Sequence, residues 1–507
     1  MSDDDTIERS DEPCLESPKQ LKMIIKKKHS NAWHAESCYG TRHCQVFLMA
    51  LSLMMGNAMN LSLPVAIIAM TDTNDARNFT FYDWTTVEMA LILSSFFWGY
   101  LLIQVPSRYF VRRYGAQRLF SLGLCCSSFV NFSIPLIVAY GDYVALCAAR
   151  LTIGLCHACF YACTHALLLK WAPPFERSRM SSVITGAGFF GTIVAMASSG
   201  LIAASSLGWP GIFYIFGSLG LLCSFVIFFK IVDDPESHRN MCSRERDYIL
   251  EHRRREAVRF EARKLTCCDV LLCVPLWALI VTECGSNWGT YIINSGMPSY
   301  MKYILDFNIR TNGLISTLPY LTNWLLSFVF SRLSDLALRR GVSPARVRRV
   351  SNTVGMWGPA AALSVLCLVD EYSLVAPVLL LTLAVGLQAA SPSGFVVNQI
   401  EMYPNYVGVI YSTATCIGTS VSILAPIVCG NIIVDVRDVE QWHAIFYITA
   451  AVYFFINLIF MIFGRGETYL YDFHDTTNTN VSFSAQDVES VADISNVELV
   501  RTTRRDN

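Results

Sequence analysis

The sequence predicts an all-α integral membrane protein, with twelve transmembrane helices in two six-helix halves. Three observations predict it: too little charge for a soluble surface, apolar runs of spanning length, and basic loops that recur at every second connection. Of the 507 residues, 53% are hydrophobic and 16% charged, where an average soluble chain carries about 25% charged residues. The apolar excess is blocked rather than spread. Val46–Met70, Met89–Val105, Phe120–Tyr140, Ile212–Phe229 and Ile445–Phe463 contain no Lys or Arg. Each is long enough to cross about 30 Å of hydrocarbon, which takes roughly 17–20 helical residues. None alternates in polarity as a barrel strand must.

Spans are predicted near 45–70, 85–106, 119–140, 144–171, 181–205, 209–231, 269–303, 312–331, 351–369, 374–396, 404–433 and 442–464. They divide the chain into an N-terminal tail (1–44), a first half (45–231), an inter-half loop (232–268), a second half (269–464) and a C-terminal tail (465–507). Lys and Arg collect in cytoplasmic loops and so give the orientation. The 107–118 loop holds Arg108, Arg112, Arg113 and Arg118; the 232–266 loop holds Arg253, Arg254 and Arg255 and reads as a surface helix. The 332–350 loop holds Arg332, Arg339, Arg340, Arg346, Arg348 and Arg349, while intervening loops are short or acidic, as at Asp370–Glu371. Both tails are therefore expected in the cytoplasm, and the last, being polar, is expected to be disordered. Ser107-Arg108 with Arg112-Arg113-Tyr114-Gly115, and Ser331-Arg332 with Arg339-Arg340-Gly341, form a weak repeat six helices apart. Such halves suggest a transporter with its site near the midplane between them.

Several classes are disfavoured. A net charge of −1 and a pI of about 6.7 give nucleic acid no purchase. Most of the 18 cysteines lie in apolar runs and act as small hydrophobes, so no disulfide framework is expected. Cys267 and Cys268 suit palmitoylation weakly, and no metal or cofactor pattern is present. The first 44 residues are too long and charged for a secretory leader. The one sequon in an exterior loop is Asn78-Phe79-Thr80, which makes Asn78 the expected glycosylation site.

Asn60–Met70 (NLSLPVAIIAM), Ile92–Tyr100 (ILSSFFWGY), Arg113–Ala116 (RYGA), Trp171–Arg179 (WAPPFERSR) and Gly208–Gly217 (GWPGIFYIFG) carry a family likeness. Asn287–Tyr291, Pro298–Met301, Asn312–Ser316, and Ser393–Phe395 with Asn398 continue it. The chain resembles the anion–cation symporter branch of the major facilitator superfamily, with sialin, the vesicular glutamate transporters and the sodium–phosphate cotransporters. The resemblance implies secondary active transport of a small anion coupled to protons or sodium. Two departures bear on mechanism. The family's arginine on the first helix, in an R-x-N-L-S-type motif, is Asn60 here. Its fourth-helix pattern, G-x-G-E-G…Y-P-A-x-H, reads Gly154-Leu155-Cys156-His157-Ala158 and Tyr161-Ala162-Cys163-Thr164-His165, so the Glu is His157 and the Pro is Ala162.

The candidate residues follow. Arg150 matches an arginine that the family keeps, and its planar fork suits a carboxylate or phosphate; the bland alternative is a side chain snorkelling to the interface beside Asp142. His157, Tyr161 and His165 recur every four residues and are expected to form one cavity-lining stripe. Arg150, Tyr161, His165 and Asn60 are the expected substrate-binding set. His157, Glu283 and Asn287 are the expected ion-coupling set, with Glu283 placed about 14 residues into span seven, past mid-bilayer. A carboxyl buried there is able to hold a proton at neutral pH, or equally to serve as a neutral hydrogen-bonded core group. Arg108, Arg112, Arg113, Glu176 and Arg177 lie at cytoplasmic helix ends and read as gating contacts. Gly186, Gly188 and Gly191 read as packing.

The expected function is therefore transport of a small organic or inorganic anion by alternating access, in a monomer of the lipid bilayer. The alternatives are a neutral or zwitterionic solute, which Asn60 would suit, and a non-transporting sensor on the same fold. No nucleophile or metal cluster suggests an enzyme. The tails hold no acidic dileucine signal, which favours the plasma membrane over a lysosomal or vesicular membrane.

Overall fold

The structure, a computed structural model, describes residues 40–71, 80–238, 241–259, 273–369, 374–402 and 407–464. Asn78, Cys267, Cys268 and the C-terminal tail lie outside the described residues, as does the side chain of Arg177. Hydrocarbon offers no partner to a free N–H or C=O, so a spanning segment must satisfy its backbone internally. The described apolar segments are accordingly helical.

The spanning helices are α1 (Thr41–Thr71), α2 (Thr86–Gln104), α3 and α4 (together Ala116–Trp171), α5 (Pro174–Ala203) and α6 (Gly208–Lys230) in the first half. The second half holds α7 (Val274–Tyr291, continued by Ile292–Gly296 and Met297–Tyr303), α8 (Ile309–Arg339) and α9 (Pro344–Leu366). It ends with α10 (Val375–Gln388, continued by Pro392–Val396 and Val397–Met402), α11 (Val407–Ile432) and α12 (Val439–Phe463). Between the halves, the expected surface helix is Ser243–Arg259. Phe47, Leu102, Phe129, Phe225, Phe229 and Phe455 are each at least 60% exposed. A water-soluble surface avoids such a belt; a lipid-facing one requires it.

Several boundaries differ from those predicted. α1 starts at Thr41, four residues before the apolar run, and so includes Arg42. α3 and α4 meet without an open loop: the chain turns at Asp142 (φ 50°, ψ −152°), whose Oδ1 accepts from Trp84 Nε1 at 2.6 Å. α8 and α9 run through most of the basic segment 332–350, because charged helix ends remain helical in the aqueous layer. α7 begins at Val274, where Pro275 occupies the first turn, a position that needs no N–H donor.

Small residues bring the helices together. A Cβ on Gly99 (α2) would collide with the carbonyl oxygen of Leu151 (α4), and one on Gly154 (α4) with that of Phe96 (α2). Gly191 (α5) lies as close to the Met54 carbonyl of α1, so its expected packing role holds. Between the halves, the tight approaches lie toward the exterior ends. Gly200 (α5) faces Gly313 (α8) backbone to backbone, Thr86 Oγ1 donates to the Gly430 carbonyl at 3.2 Å, and Thr71 and Tyr303 hydroxyls lie 3.2 Å apart. Trp324 of α8 meets Phe190 of α5 near the middle (6.1 Å between rings). Further toward the cytoplasm, Tyr161 and His165 of α4 are exposed. The contacts named between the halves thus gather at the exterior ends and the middle.

Over-packing a tight contact costs about 1–3 kcal/mol. Gly99→Leu is therefore expected to lower the melting temperature of the purified protein in detergent, whereas Leu102→Val on the outer face leaves it unchanged; a scanning fluorimetry melt reads both.

Candidate anion site between the halves

Arg150 sits on α4 two turns in from the exterior end, and it is 3% exposed. Its Nη2 donates to Asn60 Oδ1 of α1 at 2.6 Å, and its guanidinium carbon lies 5.0 Å from the centroid of the Phe96 ring of α2. That is within cation–π range. Tyr291 of α7 comes near it from the other half, its ring packed edge-on to Phe97, the neighbour of Phe96. Its Nε is buried without a partner, and among the described residues no carboxylate pairs with it. Snorkelling beside Asp142 is overturned: Arg150 points inward, and Asp142 serves Trp84 at the α3–α4 corner. The site thus draws on four helices and both halves. It presents one positive charge whose fixed partner, an amide, is neutral.

The expected stripe on α4 divides. Each four-residue step turns a 3.6-residue helix by about 40°, so the span from 157 to 165 drifts by about 80°. His157 is buried, stacked on Phe160 at 4.6 Å and edge-on to Phe96 at 5.6 Å, with its Nε2 unpartnered. It is a packed neighbour of the arginine site rather than part of an open wall. Tyr161 is exposed, with Asn57 of α1 near its hydroxyl, and the Asn57 amide fits over Gly188 of α5. His165 is exposed one turn further on, within electrostatic reach of Arg108.

Glu283 lies ten residues into α7, which starts at Val274. It therefore stands on the cytoplasmic side of the middle, not past it as predicted, because the helix begins later than the apolar run suggested. Its Oε1 accepts from Asn287 Nδ2 at 3.3 Å and its Oε2 from Gln399 Nε2 of α10 at 3.5 Å. Gly418 of α11 makes room for both, since a Cβ there would lie 2.7 Å from Glu283 Cγ and 2.8 Å from Asn287 Nδ2. Gln399 Oε1 and the neighbouring Asn398 Oδ1 are buried without partners. The expected coupling residues are thus in two places, with His157 beside Arg150 and the Glu283–Asn287 pair inside the second half.

Of the expected gating residues, Arg108, Arg112 and Arg113 are exposed. Glu176 is half-buried. It accepts from Arg42 Nε at 2.8 Å and Nη2 at 3.0 Å, while Glu245 of the inter-half helix accepts from Arg42 Nη1 at 3.3 Å and from the backbone N–H groups of Thr41 and Arg42 at 3.0 Å. This clamp ties α1, α5 and the inter-half helix together. Sequence reading missed Arg42, Asn57, Tyr291 and Gln399 as site residues. Asn57 was findable, three positions before Asn60 and hence on the same face; the others depend on which helices meet.

Residues 46–426 match the model of the Major Facilitator Superfamily. The chain belongs to that superfamily. It is a multi-pass membrane transporter of the anion–cation symporter branch and not an enzyme. A putative inorganic phosphate cotransporter of Drosophila melanogaster is 31% identical, over 86% of this chain and 87% of the relative. Human sialin is 28% identical over 85% and 91% respectively, and mouse sodium-dependent phosphate transport protein 3 is 30% identical over 76% and 80%. Among solved structures, an inward-facing, occupied bacterial homologue of the lysosomal transporter Spinster superposes with a TM-score of 0.64 at 12% identity, covering 86% of this chain and 99% of that one. The inward-open xylose transporter XylE of E. coli gives 0.63 at 12% identity, covering 83% and 96%. These two share the superfamily fold, and both are described in inward states.

Breaking a buried ion pair by removing one partner costs about 3–5 kcal/mol. With side-chain exposures of 2% for Arg42, 13% for Glu176 and 10% for Glu245, Arg42→Ala in this transporter is expected to lose about that much stability. Chemical denaturation in detergent checks it.

Proposed function

We propose that this transporter carries small anions across the membrane by alternating access, with Arg150 binding the anion and Glu283 coupling the movement to a proton or sodium gradient. The observation that carries the reading is the buried guanidinium with a neutral fixed partner. A charge in the bundle interior is costly unless a counter-charge or cavity faces it, and here the counter-charge is left for a ligand to supply. The relatives named as phosphate cotransporters and sialin support an anion as the cargo.

Asn60 orients Arg150 without neutralising it, and Phe96 holds the plane of the fork. Tyr291, whose ring packs on Phe97 at 5.9 Å, brings the opposite half close to the site. Tyr161 and His165, with Arg108 nearby, line the way to the cytoplasm. Asn78 is the glycosylation site of the exterior loop, and Arg108, Arg112, Arg113, Glu176 and Arg177 act at the cytoplasmic gate. The coupling acid stands apart from the anion site. Glu283 precedes Tyr291 by eight residues on α7, about 12 Å along a helix, so one helix connects the two.

Losing a hydrogen bond to a charged group costs about 1.5–3 kcal/mol, roughly tenfold or more in affinity. Arg150→Gln in proteoliposomes is expected to raise the half-saturating concentration of labelled phosphate or sialic acid at least that far; unchanged uptake would remove Arg150 from the site. Glu283→Gln is expected to abolish acceleration by an imposed pH or sodium gradient while leaving anion exchange at equal ion concentrations. Gradient-driven uptake that survives the substitution places the coupling elsewhere.

A further inference from the structure

We propose that an anionic phospholipid of the cytoplasmic leaflet is a resident ligand of this transporter. Its phosphate lies on Arg346 and Arg349, and an acyl chain occupies a groove between α9 and α12 on the outer side of the second half. This site stands apart from Arg150 and does not depend on the reading of it.

The groove, of about 540 Å³, is lined by α9 and α12 alone. Its floor is alanine, with Ala360 and Ala361 from α9 and Ala450 and Ala451 from α12. Its rim is aromatic and faces outward: Tyr447, Phe454 and Phe455 are 47%, 46% and 60% exposed. Trp357 fixes one wall, since its ring stacks on Phe454 at 5.3 Å and its Nε1 donates to the Phe454 carbonyl at 3.2 Å. Alanines on both helices leave a hollow between bulkier neighbours. An empty hollow forfeits dispersion contacts along its lining, and at this depth the medium that fills it is hydrocarbon. Trp357 is eight residues from Arg349 and Ser364 is fifteen, about 12 and 22 Å along the helix. The groove is therefore within reach of a chain anchored at the cytoplasmic surface, and it extends to the middle of a core about 30 Å thick.

The cytoplasmic end of the same seam is basic. Positions 346, 349, 353, 357, 360 and 364 follow one another by three or four residues, so they form one face of α9. Arg346 is exposed. Arg349 is half-buried; its Nη2 donates to the Gly464 carbonyl at the end of α12 at 2.9 Å, and its Nε is buried without a partner. Between Arg349 and the groove the helices are laced together. Asn457 Nδ2 donates to Thr353 Oγ1 at 3.3 Å, and that hydroxyl lies 3.4 Å from Met461 Sδ. A chain anchored on the arginines thus runs along the outside of the seam here and sinks in where the alanines begin.

Charge selects the class of lipid. α9 has no acidic residue, and the one on α12, Glu440, stands in its first turn at the exterior end. Two guanidiniums therefore meet the cytoplasmic leaflet with no carboxylate of either helix to neutralise them, and a phosphate suits their planar forks. A zwitterionic lipid brings its own cation to that place. An anionic lipid does not, and each arginine near the surface adds to its attraction.

The test uses the full-length transporter purified in detergent and titrated with dioleoyl phosphatidylglycerol or dioleoyl phosphatidylcholine. Native mass spectrometry counts the bound lipid. Phosphatidylglycerol is expected to bind about tenfold tighter. Arg346→Gln with Arg349→Gln brings the two lipids level. Should that variant not fold, Arg346→Gln alone leaves the Gly464 contact intact and still lowers the preference. Arg118→Gln with Arg244→Gln removes the same charge from exposed cytoplasmic positions elsewhere and keeps the preference. Ala451→Phe, at an exposed position of the groove, weakens both long-chain lipids severalfold and leaves dioctanoyl phosphatidylglycerol, with its short chains, unaffected. Equal binding of the two lipids overturns the proposal, as does a preference that survives the double arginine variant. Long-chain binding untouched by Ala451→Phe also overturns it. So does a lipid-free dimer that Ala451→Phe dissociates, which assigns the seam to a second copy instead.

Discussion

A single guanidinium, buried with an amide instead of a carboxylate, is the interaction around which the rest of the bundle is arranged. Hydrocarbon would expel this charge, and four helices cooperate to keep it. Asn60 of α1 accepts from it, Phe96 of α2 lies beneath it, and Tyr291 of α7 approaches from the other half. Even the glycines serve this placement. Gly154 follows Arg150 by one turn, and its missing side chain lets the backbone of α2 at Phe96 come close enough to set the ring under the fork. An acid in place of Asn60 would complete the pair internally and leave no electrostatic reason for an anion to enter.

The fold was legible because lipid imposes a coarse rule. A run without charge must be a helix of spanning length, and basic residues mark which side each loop occupies. What was misread follows from applying hydropathy too literally. Arg42 fell outside the apolar run and was assigned to a tail, although it is the hub of a buried clamp. Hydropathy places Arg332, Arg339 and Arg346–Arg349 in a loop, although helices continue through them. Glu283 was set too deep because the start of its helix is fixed by Pro275 and not by the first apolar residue. The α4 stripe failed for a geometric reason, since steps of four drift around a helix of 3.6 residues per turn. Tyr291 and Gln399 matter only because distant helices meet, and one sequence carries no signal for that.

The second half departs from ideal helix at two matching places. α7 passes through a π turn at Ile292–Gly296 and α10 through another at Pro392–Val396. Such turns insert an extra residue and are frequent at functional sites. The second has a visible support: Arg348 of α9 donates from Nη1 to the Ser393 carbonyl at 2.9 Å. The first lies directly after the tyrosine that faces Arg150. Glu283 and Tyr291 therefore share one helix that continues into this π turn.

Where Gly200 meets Gly313, the two halves touch through bare backbone. A side-chain interlock would have to be withdrawn knob by knob before the halves parted, and each rotamer change would add to the barrier. Smooth main-chain surfaces have only short-range dispersion to give up, which is small for each atom pair and is lost and regained gradually as they roll. At this contact the exterior seal can thus be tight when shut, leaving the Thr86–Gly430 and Thr71–Tyr303 hydrogen bonds as what must break for the halves to part.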